Sequence, residues 1–288
     1  MNQVLADLLR LLDLERLEMN LFRGESRDIG SPQVFGGQVL GQALMAASRT
    51  VDAERAVHSL HAYFLRRGDF NAPIVYEVDR SRDGGSFTSR RVVAIQHGQP
   101  IFHLAASFQM PEAGPDHQAP APVVTPPEDL PDLHEALQHH LDRMPEQGRQ
   151  YWSRERPFEF RSVERIEEGK PQPGVQHIWF RLVESLPGDD PVMQRCLLAY
   201  ISDHHLLGTA TLPHGLSYFA GNVQLASIDH AMWFHRPFRI DEWLLYALIS
   251  PSGSGARGIA FGRIFDRAGH LVASTAQEGL MRQKPTAR

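Results

Sequence analysis

The sequence predicts an α+β protein built from two fused repeats, each an antiparallel sheet wrapped around a long helix. Three observations predict it. Residues 57–109 are echoed by residues 227–279, a helix-like apolar run precedes the strand-like runs in each copy, and a proline-rich stretch lies between the copies. Tyr63-Phe64-Leu65-Arg66 followed by Tyr76 matches Trp233-Phe234-His235-Arg236 followed by Tyr246. The offset is the same for both pairs, 233 − 63 = 246 − 76 = 170.

Val4 to Leu14 is apolar, but Asp7, Arg10 and Asp13 interrupt it at near-helical spacing, so it reads as an amphipathic helix and not as a targeting segment. Leu21 to Gly24 reads as a short strand. Phe35 to Ala47 reads as a helix entered through glycines, with Val39, Leu40, Ala43, Leu44 and Ala47 as its apolar stripe. Val57–Leu65, Ile74–Arg80, Ser86–Gln96 and Ile101–Phe108 are β-branched or aromatic runs bounded by turn residues, which gives a meander.

Pro111 to Pro131 reads as a linker, followed by a short polar helix from Leu133 to Met144. The second copy opens with strands Phe158–Ile166 and His177–Val183. A helix follows, signalled by Asp190 at the N-cap and Pro191 at its first position, and runs to about Asp203. Strands Val223–Phe234, Trp243–Ile249, Arg257–Phe265 and His270–Gly279 complete it, with Ser252-Gly253-Ser254-Gly255 as a turn. The expected divisions are residues 1–110, a linker with its short helix over 111–150, and a second repeat over 151–288.

Composition narrows the partners. The chain has 288 residues, 42% hydrophobic and 22% charged, which is ordinary globular material. A net charge of −5 and a pI near 6.3 give no basic field for nucleic acid. A single cysteine, Cys196, excludes an internal disulfide and a thiolate metal cluster. No run reaches the roughly 20 apolar residues of a membrane span. The last residues, Lys284 to Arg288, are not a Ser-Lys-Leu type address, and a cytoplasmic location is expected.

Chemistry-capable side chains concentrate in the second copy. Asp203 ends an apolar helix, where the macrodipole disfavours a carboxylate by about 0.3–1 kcal/mol. It reads either as an exposed turn residue before His204-His205 or, if buried, as a base with a raised pKa. Gln277 lies on the last strand opposite small Ser107 of the first copy, and Ser227 matches apolar Val57, all at the 170-residue offset. His58 and His61, like His230 and His235, are odd numbers of residues apart, so alternation predicts opposite faces and no shared metal. His58 remains a candidate polar group near the junction of the halves. No Gly-x-Ser-x-Gly elbow is present; Gly215-Leu216-Ser217-Tyr218-Phe219 lacks the second glycine. Gly253-Ser254-Gly255-Ala256-Arg257-Gly258 formally fits a dinucleotide fingerprint but leads into a strand. It reads as a loop whose amides and Arg257 could meet an anionic group.

Val34 to Leu44, Val57 to Leu65, Ile228 to Pro237 and Val272 to Gly279 resemble the bacterial type II acyl-CoA thioesterases, and the resemblance runs from the first helix to the last strand, the linker and its flanks excepted. It implies a double hotdog fold, hydrolysis of fatty acyl-CoA in lipid metabolism without metal or cofactor (CoA being part of the substrate), and a homodimer or homotetramer. The family's catalytic aspartate falls on Asp203 and its glutamine on Gln277. Its usual threonine falls on Ser227, which keeps the hydroxyl but not the β-branching. On that reading Asp203 takes a proton from water held by Ser227 and Gln277, and the thiolate, with a thiol pKa of about 8.5, leaves unaided. The amides of Gly37 and Gln38 are expected as oxyanion donors, and Met232 and Trp233 as lining of an acyl tunnel. The alternatives are a hotdog protein that binds acyl-CoA without turnover, and an enoyl-CoA hydratase pairing Asp203 with His204.

Overall fold

The computed structural model describes residues 2–31, 33–138, 149, 153–167, 169–217 and 220–284. Helices α1 (Gln3–Leu12), α2 (Gly36–Ser48), α3 (Leu133–Gln138), α4 (Pro191–Ser202) and α5 (Leu206–Thr209) accompany strands β1 (Glu15–Glu18), β2 (Leu21–Gly24), β3 (Ala56–Phe64), β4 (Ile74–Asp83), β5 (Phe87–Gln96), β6 (Gln99–Gln109), β7 (Phe158–Ser162), β8 (Val175–Leu182), β9 (Val223–Ser227), β10 (Asp229–Phe234), β11 (Leu244–Ser254), β12 (Arg257–Phe265) and β13 (Leu271–Gln283). The expected helix over 133–144 is α3 as far as Gln138, and its remainder lies outside the described residues.

One antiparallel sheet runs β1-β2-β4-β5-β6-β3-β10-β13-β12-β11-β8-β7, with β9 also pairing β13. The halves join at β3 and β10, where His61 faces Ala231. Alternation buries one face of most strands against the helices, and the buried side chains of both halves form one apolar cluster. Inside it α2 and α4 pack antiparallel, and glycines allow the contact: a Cβ at Gly37 would lie 2.0 Å from the Tyr200 carbonyl oxygen, and one at Gly41 3.0 Å from that of Cys196. α1 adds Leu5, Leu8 and Leu12 to the same core.

Several expectations change in the structure. The offset of 170 holds for β3 and β10, which are paired about His61 and Ala231, and for β5 and β12. In the last strand of each copy it becomes 171, because Ala105 pairs Arg91 as Ala276 pairs Phe261. The longer turn between Phe265 and Leu271 absorbs the extra residue. Gln277 therefore corresponds to Ala106, not Ser107, which faces the other side of the sheet. The expected strand 223–234 is two, broken at Ile228, and Ser227 closes β9. The first copy carries the equivalent irregularity as a bulge at His58.

Residues 252–254 belong to β11 and not to a loop; the hairpin turns at Gly255 and Ala256, both at positive φ, as a tight two-residue turn requires. The proline-rich segment is a strap over the outer face of the second half. Trp179 Nε1 donates to the Thr125 carbonyl at 2.9 Å, Gln118 bonds both the Gly269 carbonyl and the Leu271 amide, and Ala121, Val124 and Leu130 cover Trp179, Leu245 and Phe265.

Candidate active site

Asp190 caps α4 by accepting from the amides of Val192 and Met193, and the helix runs to Asp203 at its C-cap. Sequence alone places this carboxylate at the unfavourable end of α4. The antiparallel packing resolves the conflict by setting that end against the N-terminus of α2, whose own N-cap, Phe35, supplies no side-chain bond. The Gly37 amide donates to Asp203, so the carboxylate meets the positive end of the neighbouring dipole. Burial raises the Asp203 pKa above the ordinary carboxylate value; the bonds from Gln277 and Gly37 oppose the shift without cancelling it.

Gln277 points inward from β13 and is 1% exposed. Its Nε2 donates to Asp203 Oδ1 and to Ser227 Oγ, each at 2.8 Å. A carboxylate can receive only the NH2 end of the amide, which fixes the side chain's orientation. Both amide hydrogens are thereby used, the Ser227 hydroxyl keeps its own hydrogen to donate, and Gln277 Oε1 is buried without a partner among the described residues. Ser227 and Gly36 line a cleft with Val39, Phe64 and Phe102, and Arg66 and Arg67 stand at its rim. Asp203 lies directly behind Gly36, where a Cβ would stand 2.7 Å from its Oδ2.

The other candidate residues are placed differently. The Gly37 amide is engaged by Asp203 and the Gln38 amide by the Phe35 carbonyl at 3.1 Å, while the Gln38 side chain bonds the Arg27 amide and the Glu25 carbonyl. Neither amide is open to an oxyanion. The first-turn amide of Gly36, which has no intrahelical acceptor, lies at the cleft instead. Met232 points into the core at 0% exposure, whereas Trp233 alternates to the outer face and meets the His61 ring edge-on at 5.2 Å. His58 also lies on the outer face, bonded to Ser107 Oγ at 2.8 Å. The bulge adds a residue to β3, so His58 and His61 share a face despite their odd spacing. His230 points inward and His235 outward, toward Ser274, as expected. Arg257 sits at a hairpin tip in an ion pair with Glu278. The His204 ring packs among Phe35, Phe160 and Tyr200, and burial holds it well below the usual imidazole range.

Among the described residues the first copy has no such constellation. Val57 and Ala106 stand in the places of Ser227 and Gln277, and Arg90 stands where the second copy has Ala260. Its guanidinium, 2% exposed, bonds the hydroxyl and carbonyl of Thr50 just beyond α2. Sequence reading missed Gly36, because the glycine-rich entry offers three candidates and only the helix contact separates them.

Known proteins share this arrangement of chain. The acyl-CoA thioesterase family matches residues 148–280, and the acyl-CoA thioesterase N-terminal domain matches residues 23–109. Acyl-CoA thioesterase 2 of Haemophilus influenzae is 44% identical over 284 residues, covering 98% of this chain and 99% of its own. The crystal structure of acyl-CoA thioesterase II TesB2 from Mycobacterium marinum superposes with a TM-score of 0.79 at 44% identity, covering 98% and 99% of the two chains. A protein with a hot dog fold from Alicyclobacillus acidocaldarius reaches a TM-score of 0.78 at 19% identity, covering 97% of this chain and 99% of its own, and so shares the fold. Two hotdog units fused through one sheet thus have sequence relatives across nearly their whole length, and the chain belongs to the acyl-CoA thioesterase family.

Proposed function

We propose that this chain hydrolyses fatty acyl-CoA to free fatty acid and CoA, with Asp203 as the general base toward water. The observation that carries the reading is the Asp203–Gln277–Ser227 chain of 2.8 Å bonds beside the cleft. Water in the cleft gives one proton to Asp203, whose raised pKa makes it the stronger base, and its second hydrogen meets the unpartnered Gln277 Oε1. The water oxygen bonds the thioester carbon, the Ser227 hydroxyl and the Gly36 amide donate to the oxyanion, and the carbon–sulfur bond breaks to release thiolate. The proton then passes from Asp203 to solvent or to the departing sulfur. The reaction so drawn needs no metal and no separate cofactor.

Arg66 and Arg67 at the rim suit the phosphates of CoA. The reading includes action in the cytoplasm and assembly as a homodimer or homotetramer, which light scattering would measure. The deciding assay offers the purified protein acyl-CoA of increasing chain length and follows thiol and fatty acid together. One thiol per fatty acid is expected. Tight binding without thiol release, or hydration of an enoyl-CoA with no thiol, would overturn the proposal.

A further inference from the structure

We infer that Thr275, Tyr246, Ser202 and His230 form a buried positioning set that holds the Asp203 end of α4 against the strand carrying Gln277, an inference that rests on the thioesterase reading above. The Tyr246 hydroxyl donates to the Ser202 carbonyl at 2.9 Å and lies 2.8 Å from Thr275 Oγ1. A phenol has one hydrogen, so Thr275 must donate to Tyr246. The link therefore runs from Thr275, two residues before Gln277 on the same face of β13, to the residue immediately before Asp203. Ser202 Oγ donates to the Ala199 carbonyl at 2.9 Å and accepts from His230 Nε2 at 3.0 Å. Burial holds His230 neutral, with its pKa pushed down to about 3.

All four side chains are at most 3% exposed. Burying such groups costs stability wherever a partner is missing, and His230 Nδ1 has none among the described residues. The fold does not require them. At the equivalent positions the first copy has Leu104 for Thr275 and Leu60 for His230, by the pairings Leu104–Val92 against Thr275–Gly262 and Leu60–Met232 against His230–Ala62. Tyr76 matches Tyr246, yet its hydroxyl donates to the Gln42 side chain at 2.6 Å and not to a helix-end carbonyl. Gly262 supplies independent support. A Cβ there would lie 2.2 Å from the Tyr246 ring and 2.5 Å from Thr275 Oγ1, whereas the first copy fills the same position with Val92. The second copy has given up a core side chain to admit the tyrosine–threonine contact, and only this copy carries Asp203.

Thr275→Val keeps the shape and removes the hydroxyl. With catalytic groups free to shift by a fraction of an ångström, kcat should fall about tenfold while KM stays within about twofold. Thr275→Ser should restore kcat. Tyr76→Phe removes the equivalent hydroxyl from the first copy; it should lower the melting temperature and leave kcat unchanged. If Thr275→Val loses its native melt, Tyr246→Phe reads the same link. Undiminished kcat in a folded Thr275→Val, or an equal loss in Tyr76→Phe, overturns the inference while leaving the thioesterase reading intact. No thiol release by the wild-type protein overturns both.

Discussion

Gly36→Ala puts a methyl group where the Asp203 carboxylate now has room. The new Cβ would lie 2.7 Å from Asp203 Oδ2 and 3.0 Å from the Phe64 ring. Ordinary contact begins near 3.4 Å, so the carboxylate must retreat by about 0.7 Å, because Phe64 closes the other side. A shift of that size disturbs the 2.8 Å bond that Oδ1 accepts from Gln277, since a hydrogen bond is effectively lost near about 3.5 Å. Misplacement approaching 1 Å costs up to about 10²-fold, so kcat should fall roughly 10- to 100-fold, about 1.4 to 2.7 kcal/mol of barrier. The clash and the disturbed buried bond offset alanine's better helix propensity, so the melting temperature should fall by a few degrees with folding retained. Thiol release at saturating acyl-CoA gives kcat, and a thermal melt of the same sample confirms folding. Full kcat in a folded variant would refute the claim that Gly36 sets the position of Asp203.

Ser227→Ala should lower kcat about tenfold by removing the hydroxyl bonded to Gln277, and Ser227→Thr should match or exceed the wild type because β-branching restricts χ1; steady-state thiol release compares them. Arg90→Met should cost about 2–3 kcal/mol in a urea melt, since the hydroxyl and carbonyl of Thr50 lose a buried donor, while kcat per folded molecule stays unchanged. For Asp203 the sign follows from the raised pKa: the folded state favours the neutral acid, so ionisation above the unfolded value costs stability, and this cost fades as pH falls through the folded value. Asp203→Asn should therefore melt at a higher temperature than wild type at pH 7. The acid limb of kcat/KM should lie above the ordinary aspartate range and disappear from the variant's residual activity.

The helices and most strands are legible in the sequence because apolar spacing and turn residues agree: α2 and α4 lie within a residue or so of their expected ends. The duplication was legible through Tyr63, Trp233, Tyr76 and Tyr246, yet one extra residue in the turn after Phe265 moved the partner of Gln277 from Ser107 to Ala106. Bulges defeat spacing arguments for the same reason, and His58 changed face because β3 gains a residue there. Asp203, Ser227 and Gln277 are joined in the sequence by the family resemblance alone; their spacing in the chain does not bring them together. The site arises where the C-terminus of α4 meets the N-terminus of α2, a contact between segments more than 150 residues apart. The proline-rich segment shows the same limit, since Trp179 and Phe265 lie far from it in sequence and convert a linker into a strap.

The central claim is that Asp203 takes the proton of the attacking water, and Asp203→Asn tests it most directly. The amide nearly preserves shape and cannot accept that proton. Thiol release from acyl-CoA at pH 7 should fall about 10²-fold or more in a variant that melts at or above the wild-type temperature. Turnover equal to wild type in that folded variant would contradict the account.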